Sequence, residues 1–465
     1  KNLKIPNWIK QFSIYTIRDF LSKISNTQYI ALSILEAPVL GFILSYIIRY
    51  IEDPSSTLYI FRVNENIHIF IFMALIVALF LGLTVSAEEI FRDRKMLKRE
   101  AFLNLSRSSY LISKIIILLI ISAIQSFLFI IIANAILGIR EMYFIYWLAL
   151  FSTSAFANML GLNISASFNS AVTIYILIPL IMIPMMILSG AMFSFDKLNR
   201  SIGRVDKVPW IAEIMVTKWT YEALMVHQFK DNKFNKTFYE YDKRISRADY
   251  KKVYWIPELR NRLKDINKEL NESNSINETK NALKVVYNEV EKEMRNVPEI
   301  KFEALDKLSE TTFNRGVSRK VNIYLNELDD HYSLDFSRAD RIKQKIINKN
   351  LENKPDVYYR FRDNYHNEAV SDIVKKVYET NKVLEFRNEL IQHFDPVYQD
   401  PVVKGKLDFR SHFFSPKKHF WGKYYDTYWF NICVVWILTI IFYIILYFEL
   451  LKRLITLSDR LKRRN

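Results

Sequence analysis

Six stretches of this chain stay apolar for longer than a core helix of a water-soluble protein needs, and they decide what it can fold into. A helix that crosses a bilayer takes roughly 20 apolar residues, because the hydrocarbon core is about 30 Å thick and each residue rises about 1.5 Å. Residues 29–50, 67–87, 110–137, 143–166, 171–193 and 428–450 meet that length. Mean hydropathy over all 465 residues is nonetheless 0.00, because the charged residues are segregated into the intervening segments. The predicted fold class is therefore an all-α membrane protein with six transmembrane helices. An amphipathic connecting helix over 1–28 leads into five spans within 29–195. A large, mostly helical insertion at 196–426 follows, then a sixth span at 427–451 and a basic tail at 452–465.

Charge sets the expected orientation. The loop after the second stretch carries Arg92, Arg94, Lys95, Lys98, Arg99, Arg107 and Lys114 against Asp93 and Glu100. The tail carries Lys452, Arg453, Arg460, Lys462, Arg463 and Arg464, and the N-terminal segment Lys4, Lys10, Arg18 and Lys23. Basic residues gather on the cytoplasmic side, so both termini are expected inside the cell and the insertion outside, in a multi-pass protein of the inner (plasma) membrane. Long translocated domains escape the charge rule, so the insertion's own basic character does not argue against this.

The same distribution removes several functions. The 65 Lys and Arg against 49 Asp and Glu are accounted for in part by membrane edges, and no nucleic-acid partner is expected. Cys433 is the only cysteine and lies within the last apolar stretch, so no intramolecular disulfide holds the insertion. Seven histidines are scattered without metal-ligand spacing, and there is no G-x-S-x-G nucleophile motif. Among nine glycines none forms a phosphate-cradling G-x-x-x-x-G-K-[ST] loop. No catalytic site, metal or cofactor is expected in this chain. It begins at Lys1 without a signal-peptide pattern and reads as a fragment of a longer polypeptide, any ATPase lying upstream or on another chain.

The insertion is rich in Lys, Glu, Asn and Leu, which favours helix. Leu259, Leu263, Ile266 and Leu270, then Leu283, Val286, Val290 and Met294, give an apolar seam on a predicted helical hairpin over 257–294. Two core helices are the plainer reading; a coiled coil for a protein partner is the sharper one. Helical patterns are also expected over 302–308 and 372–393. The aromatic group Tyr358, Tyr359, Phe361 and Tyr365 suits core packing better than stacking on a sugar or lipid headgroup.

Within the spans, Glu36 stands beside Ala37 and Pro38, and an ionisable group at that depth is a functional candidate by default. It is expected to line a path or to bond to Asn158 or Asn163. Gln125, Asn134, Asn158 and Asn163 also fit interhelical hydrogen bonding. Pro179 and Pro184 each remove a backbone donor and are expected to kink the fifth span as part of a gate.

Four places carry a family resemblance. The helix 6–25 contains Trp8-Ile-Lys-Gln-Phe and Arg18-Asp-Phe-Leu. Lys98-Arg99-Glu100-Ala101 is followed by Ser109-Tyr110 and Lys114. The fifth stretch ends Ile187-Leu-Ser-Gly190-Ala-Met-Phe. Beyond it, Val208-Pro-Trp210 precedes Lys218-Trp219-Thr-Tyr221-Glu222-Ala-Leu. In this order, with six spans and a long last outside loop, the chain resembles the permease domain of ATP-binding-cassette transporters of subfamily G and the wider type-2 (type V) exporters.

The resemblance implies a dimer of permeases, here a homodimer, working with an ABC ATPase domain or subunit that holds ATP and Mg. It also implies a re-entrant segment near 208–228 that includes Trp210, Trp219, Tyr221 and Glu222, and an exit from the fifth span at Gly190. A coupling segment at 91–109 is expected on physical grounds as well, since a permease without a nucleotide site must take force from a partner. Phe91, Leu97 and Phe102 would supply an apolar face there, with Arg94, Arg99, Glu100 and Tyr110 as further contacts. The chain lacks the Glu-Leu-Pro often found near the family's third span, and its insertion is several times longer than in well-known eukaryotic members.

The expected function is export of a lipid, glycoconjugate or amphipathic substrate, with membrane lipids as surroundings. The alternative is a mechanotransmitter or envelope scaffold acting on a periplasmic protein partner. A channel or secondary transporter is disfavoured, since no inverted repeat is visible.

Overall fold

The computed structural model describes residues 6–462 other than 54, 101–105, 273–275, 310, 354 and 404. Asn7 caps the first helix by accepting from the Lys10 amide, and α1 (Trp8–Ile24) buries Gln11 and Tyr15 while leaving Ile9, Ile14, Ile17 and Leu21 exposed. The apolar helices are α2 (Thr27–Ile48), α3 (Ile67–Ser86), α5 (Arg107–Leu137), α6 (Tyr143–Ser167), α7 (Ala171–Ile187) and α15 (Thr427–Tyr447). A charged helix, α4 (Glu89–Glu100), follows α3 directly. Five of the apolar helices are long enough to cross a bilayer, whereas α7 has 17 residues.

In the bundle, α3 and α6 are the most enclosed and α2 and α15 the least. Small residues set the α3–α6 approach. A Cβ at Gly82 would stand 2.6 Å from the Ser154 carbonyl oxygen and 2.7 Å from the Ala157 Cβ, and one at Gly161 would overlap Ser86. Close packing of this kind substitutes for the hydrophobic effect, which does not act between helices in lipid. Asn158 donates to Ser122 Oγ (2.8 Å), Gln125 to the Ser33 carbonyl (2.8 Å), and Asn163 to the Met159 (2.8 Å) and Phe442 (2.9 Å) carbonyls.

The insertion begins after α7 and continues through α8 (Val216–Lys230), α9 (Lys233–Asp249), α10 (Ile256–Glu272), α11 (Ile276–Asn296), α12 (Arg315–Asn353), α13 (Pro355–Tyr365) and α14 (Glu368–Lys375). A π-helical stretch, Tyr250–Trp255, joins α9 to α10. Leu259, Leu263, Ile266, Leu283, Val286 and Val290 are buried in one core with α12, so the seam of the hairpin points inward; Leu270 lies outside the described side chains. Phe361 and Tyr358 of α13 pack on Phe234 of α9.

Two antiparallel hairpins correct the all-α expectation: β1 (Val383–Phe386) with β2 (Glu389–Gln392), and β3 (Lys417–Phe420) with β4 (Lys423–Asp426). The helix expected over 372–393 stops at Lys375 because Lys376 takes a left-handed conformation (φ +50°) and its amide caps Asp372 and Ile373. The pattern over 302–308 yields only a 3₁₀ turn at Leu305–Lys307 that seats Phe302, Ala304 and Leu308 in the core. A final helix, α16 (Leu450–Lys462), follows α15.

Ion pairs fix which ends of the bundle meet the insertion. Arg62, between α2 and α3, pairs with Asp363 (2.8 Å) and Glu368, and the Asn367 side chain donates to the Phe61 (2.7 Å) and Asn64 (2.9 Å) carbonyls. Glu141, between α5 and α6, pairs with Lys233 (2.6 Å). The insertion therefore sits over the α2–α3 and α5–α6 connections, at the bundle end opposite α4. Helix α7 links the two ends: Asn169 just before it bonds to Arg94 of α4, and Gly190 just after it touches Phe413 of the insertion.

Candidate functional site

At the α4 end, the low-dielectric interior makes an unpaired charge costly, and Lys114 of α5 is almost completely buried. Its ammonium meets three carboxylates: Asp19 of α1, Glu89 (3.0 Å) and Asp93 (2.9 Å) of α4. Lys23 completes the cluster with Asp19 (2.9 Å) and Glu89 (2.8 Å), and Tyr110 donates its hydroxyl to Asp93 (2.9 Å). Burial works against the charge of Asp19, but Lys114 and Lys23 outweigh it and hold the carboxyl below its ordinary range. Three helices thus share one charge cluster.

The start of α4 is bound as firmly to the end of α6. The Ile90 and Phe91 amides donate to Ser165 Oγ (3.0 and 2.9 Å), and the Arg94 guanidinium donates to the Ser165 (2.8 Å) and Ala166 (2.9 Å) carbonyls and to Asn169. Leu97 packs with Tyr15, Ile90 and Tyr110. Arg92, Lys95, Lys98 and Arg99 occupy the exposed side. The expected coupling residues Phe91, Arg94, Leu97 and Tyr110 are therefore inward anchors, and Arg99 is outward. The Glu100 side chain and all of Phe102 lie outside the described residues. Sequence reasoning missed Asp19, Lys23 and Glu89; the signal was Lys114 itself, a lysine in an apolar helix that requires counter-charges nearby.

At the opposite end Glu222 of α8 is buried among cations. It accepts from Lys418 of β3 (2.6 Å) and the Phe414 amide (3.2 Å) on one oxygen, and from Asn431 of α15 (3.1 Å) and Lys218 (3.3 Å) on the other. Lys218 also pairs with Glu213 (3.1 Å) and sits over the Trp219 ring. Burial raises the Glu222 pKa, but Lys218 and Lys418 outweigh it and the carboxyl is held below its ordinary value. Trp219 and Tyr221 are buried beside it, and Trp210 is exposed. Protein encloses α8 almost completely. The Glu222 partners Lys418, Phe414 and Asn431 lie some 200 residues away along the chain, beyond the reach of pattern reading.

The fifth-span exit adjoins this cluster. Helix α7 runs through Pro179 and Pro184 and ends at Ile187, where Thr217 donates to the Met185 carbonyl (2.5 Å). Gly190 has φ +80°, and an added Cβ would stand 2.5 Å from the Phe413 ring, so both its conformation and its surroundings require glycine. Phe413 stacks edge-on to Phe195 (4.9 Å).

Glu36 meets neither Asn158 nor Asn163, whose amides bond to Ser122, Met159 and Phe442. It lies half-exposed on the face of α2 that presents Leu32, Leu35, Val39, Phe42, Ile43 and Tyr46. Among the described residues two groups have ligand atoms close enough for a metal, Asp196–Glu379–His393 and His227–Asp231–Asp426. Each already holds a lysine, Lys376 against Asp196 (3.3 Å) and Lys230 against Asp426, so both are satisfied as ion pairs.

These features define a polytopic membrane protein whose one end carries a rigidly anchored, outwardly basic helix and whose other end carries a folded insertion. Residues 10–229, just under half of the chain, match the ABC-2 type transporter family. The chain is 25% identical over 231 residues to the ABC transporter G family member STR of Medicago truncatula, covering 49% of this chain and 26% of that protein. Identity and coverage are the same for the protein of that name from Petunia hybrida. The chain thus spans about a quarter of the length of these curated relatives.

Two partly buried histidines give the insertion a defined acid response. His412, bonded to the Pro396 carbonyl (2.9 Å), and His366, bonded to Asn235 (2.9 Å), are pushed down to about 4, foremost by burial. The unfolded chain binds these protons near pH 6.5, so the stability that the neutral rings supply is complete above that pH and lost as pH falls toward 4. Each contributes on the order of 3 kcal/mol across the window. The melting temperature followed by tryptophan fluorescence should drop between pH 6.5 and 4, and His412→Gln should flatten that slope; a pH-independent melt in the unmodified protein contradicts this.

Proposed function

We propose that this chain is the permease part of an ATP-driven exporter, with α4 as the docking surface for its ATPase. The observation that carries the reading is the cluster of Lys114, Lys23, Asp19, Glu89 and Asp93, which locks α4 to α1 and α5. A push on the exposed side of α4 is then delivered to spans rather than absorbed by a loose loop. The ABC-2 match supports this directly.

We also propose six crossings. Helix α7 is about 26 Å long by its residue count, and the residues flanking it meet α4 at one end and Phe413 of the insertion at the other. On this reading the α4 end, both termini and the ATPase are cytoplasmic, and the insertion lies outside the inner membrane. The half-exposed Glu36 is too costly to leave against lipid, which supports a second copy of the chain covering that face of α2 and making a dimer with Glu36 at the substrate path. The substrate class that fits is a lipid, glycoconjugate or other amphipath.

One feature favours the mechanotransmitter reading. The last turns of α12, a helix of 39 residues, are largely exposed and project from the core. ATP hydrolysis that responds only to a protein partner would support that reading over export.

Topology is tested in intact cells with an impermeant maleimide, using single cysteines in a Cys433→Ala background. Ser337→Cys should label and Thr456→Cys should not; the reverse pattern overturns the orientation. Docking is tested by reversing charge on α4 in the complete transporter. Lys95→Glu with Arg99→Glu should lower recovery of the ATPase with the permease by tenfold or more while membrane insertion is unchanged, and full recovery would remove α4 as the docking surface.

A further inference from the structure

The insertion contains a cavity of about 700 Å³, within the range that holds a drug-sized ligand. Its walls come from the segment after α7, from α9 and α11, from the β1–β2 hairpin and from the chain leading to β3. Nine Lys or Arg and five Asp or Glu line it, an excess of four positive charges. The carboxylates are largely engaged within the walls. Glu289 accepts from the Trp255 indole (2.6 Å) and the Leu390 amide (2.8 Å), Asp206 binds Arg204 through both oxygens (3.0 Å each), and Asp400 binds Lys243 (2.6 Å).

Two lining cations have no such neutralisation. Among the described residues Lys292 has no ion pair, and Arg387 contacts only the Phe386 ring (5.2 Å). They belong to adjoining walls. Asn288, one helical turn before Lys292, donates to the carbonyl of Asn388, the residue after Arg387 (3.0 Å). Arg387 and Asn388 form the two-residue turn of the β1–β2 hairpin at φ +53° and +60°. Glycine or asparagine usually holds such positions, so an arginine there is kept against a conformational cost.

We propose that this cavity binds a phosphorylated ligand, with the phosphate held between Lys292 and Arg387 and the rest of the molecule against Phe386, Leu390 and Tyr398. A doubly charged anion matches two unpaired cations, and a guanidinium offers forked donors to phosphate oxygens. The cavity lies outside the spans, so the proposal stands whether or not the chain is an exporter. Ser194, Phe195 and Phe413 line it too, which places it against the exit of α7.

The test uses the purified full chain in nanodiscs of zwitterionic lipid without nucleotide. Calorimetry measures binding of dioctanoyl phosphatidic acid, inorganic pyrophosphate and uncharged dioctanoylglycerol. The expected result is binding of at least one phosphorylated probe, no comparable binding of dioctanoylglycerol, and at least tenfold weakening in Lys292→Glu with Arg387→Glu. Pyrophosphate that binds and competes points to a soluble phosphorylated ligand; phosphatidic acid binding alone points to a lipid headgroup. Should the double variant melt early, added KCl gives a second reading on the unmodified protein, and affinity must fall as salt rises. Affinity that ignores salt, equal binding of dioctanoylglycerol, unchanged binding in a folded double variant, or no binding of either anion overturns the proposal.

Discussion

A charge removed from water must find its counter-charge within a few ångströms, and the architecture of this chain follows from where those pairs are made. Lys114 and Glu222 mark the two ends of the apolar bundle. Each is buried and neutralised by charges from its surroundings: carboxylates of α1 and α4 for Lys114, and Lys418 of β3 with Lys218 of α8 for Glu222, to which the Asn431 amide of α15 also donates. Breaking a buried pair by removing one partner costs about 3–5 kcal/mol, far more than an exposed pair contributes. These clusters therefore specify how the terminal helices and the insertion dock, while the spans between them associate through small-residue packing and through amides bonded to backbone carbonyls.

The two clusters differ in what surrounds them. The Lys114 cluster backs a helix whose other side is basic and exposed, as a surface awaiting an acidic or complementary partner would be. The Glu222 cluster is enclosed on all sides and abuts Gly190, Phe195 and Phe413, where α7 enters the insertion. Helix α4 is tied to α5 and α6, both of which run the full thickness of the bundle toward the end where Arg62 and Glu141 bind the insertion. Packed contacts thus run continuously from one end to the other.

Much of the bundle was legible in the sequence because a span is a local property: twenty apolar residues suffice to identify it. The apolar seams of α10 and α11 were legible for the same reason, their period being written within two short segments. The hairpins β1–β2 and β3–β4 were not, since four-residue strands such as Val383–Phe386 alternate too briefly to outweigh a helical composition. Pairings such as Glu222 with Lys418, or Arg62 with Asp363, depend on tertiary contact between distant segments and leave no local trace. The expected link from Glu36 to Asn158 or Asn163 failed because those asparagines are satisfied inside the bundle, whereas Glu36 lies on a face that a single copy leaves uncovered.

If α4 takes the push of an ATPase and a second copy covers the α2 face, as proposed above, ATP binding should move the two copies against each other. Electron paramagnetic resonance on the assembled transporter, spin-labelled through Tyr46→Cys on the uncovered face of α2 in a Cys433→Ala background, measures this directly. The account predicts a defined distance between copies that changes by several ångströms on ATP binding. Absence of any dipolar coupling between labels, or a distance indifferent to ATP, would contradict it.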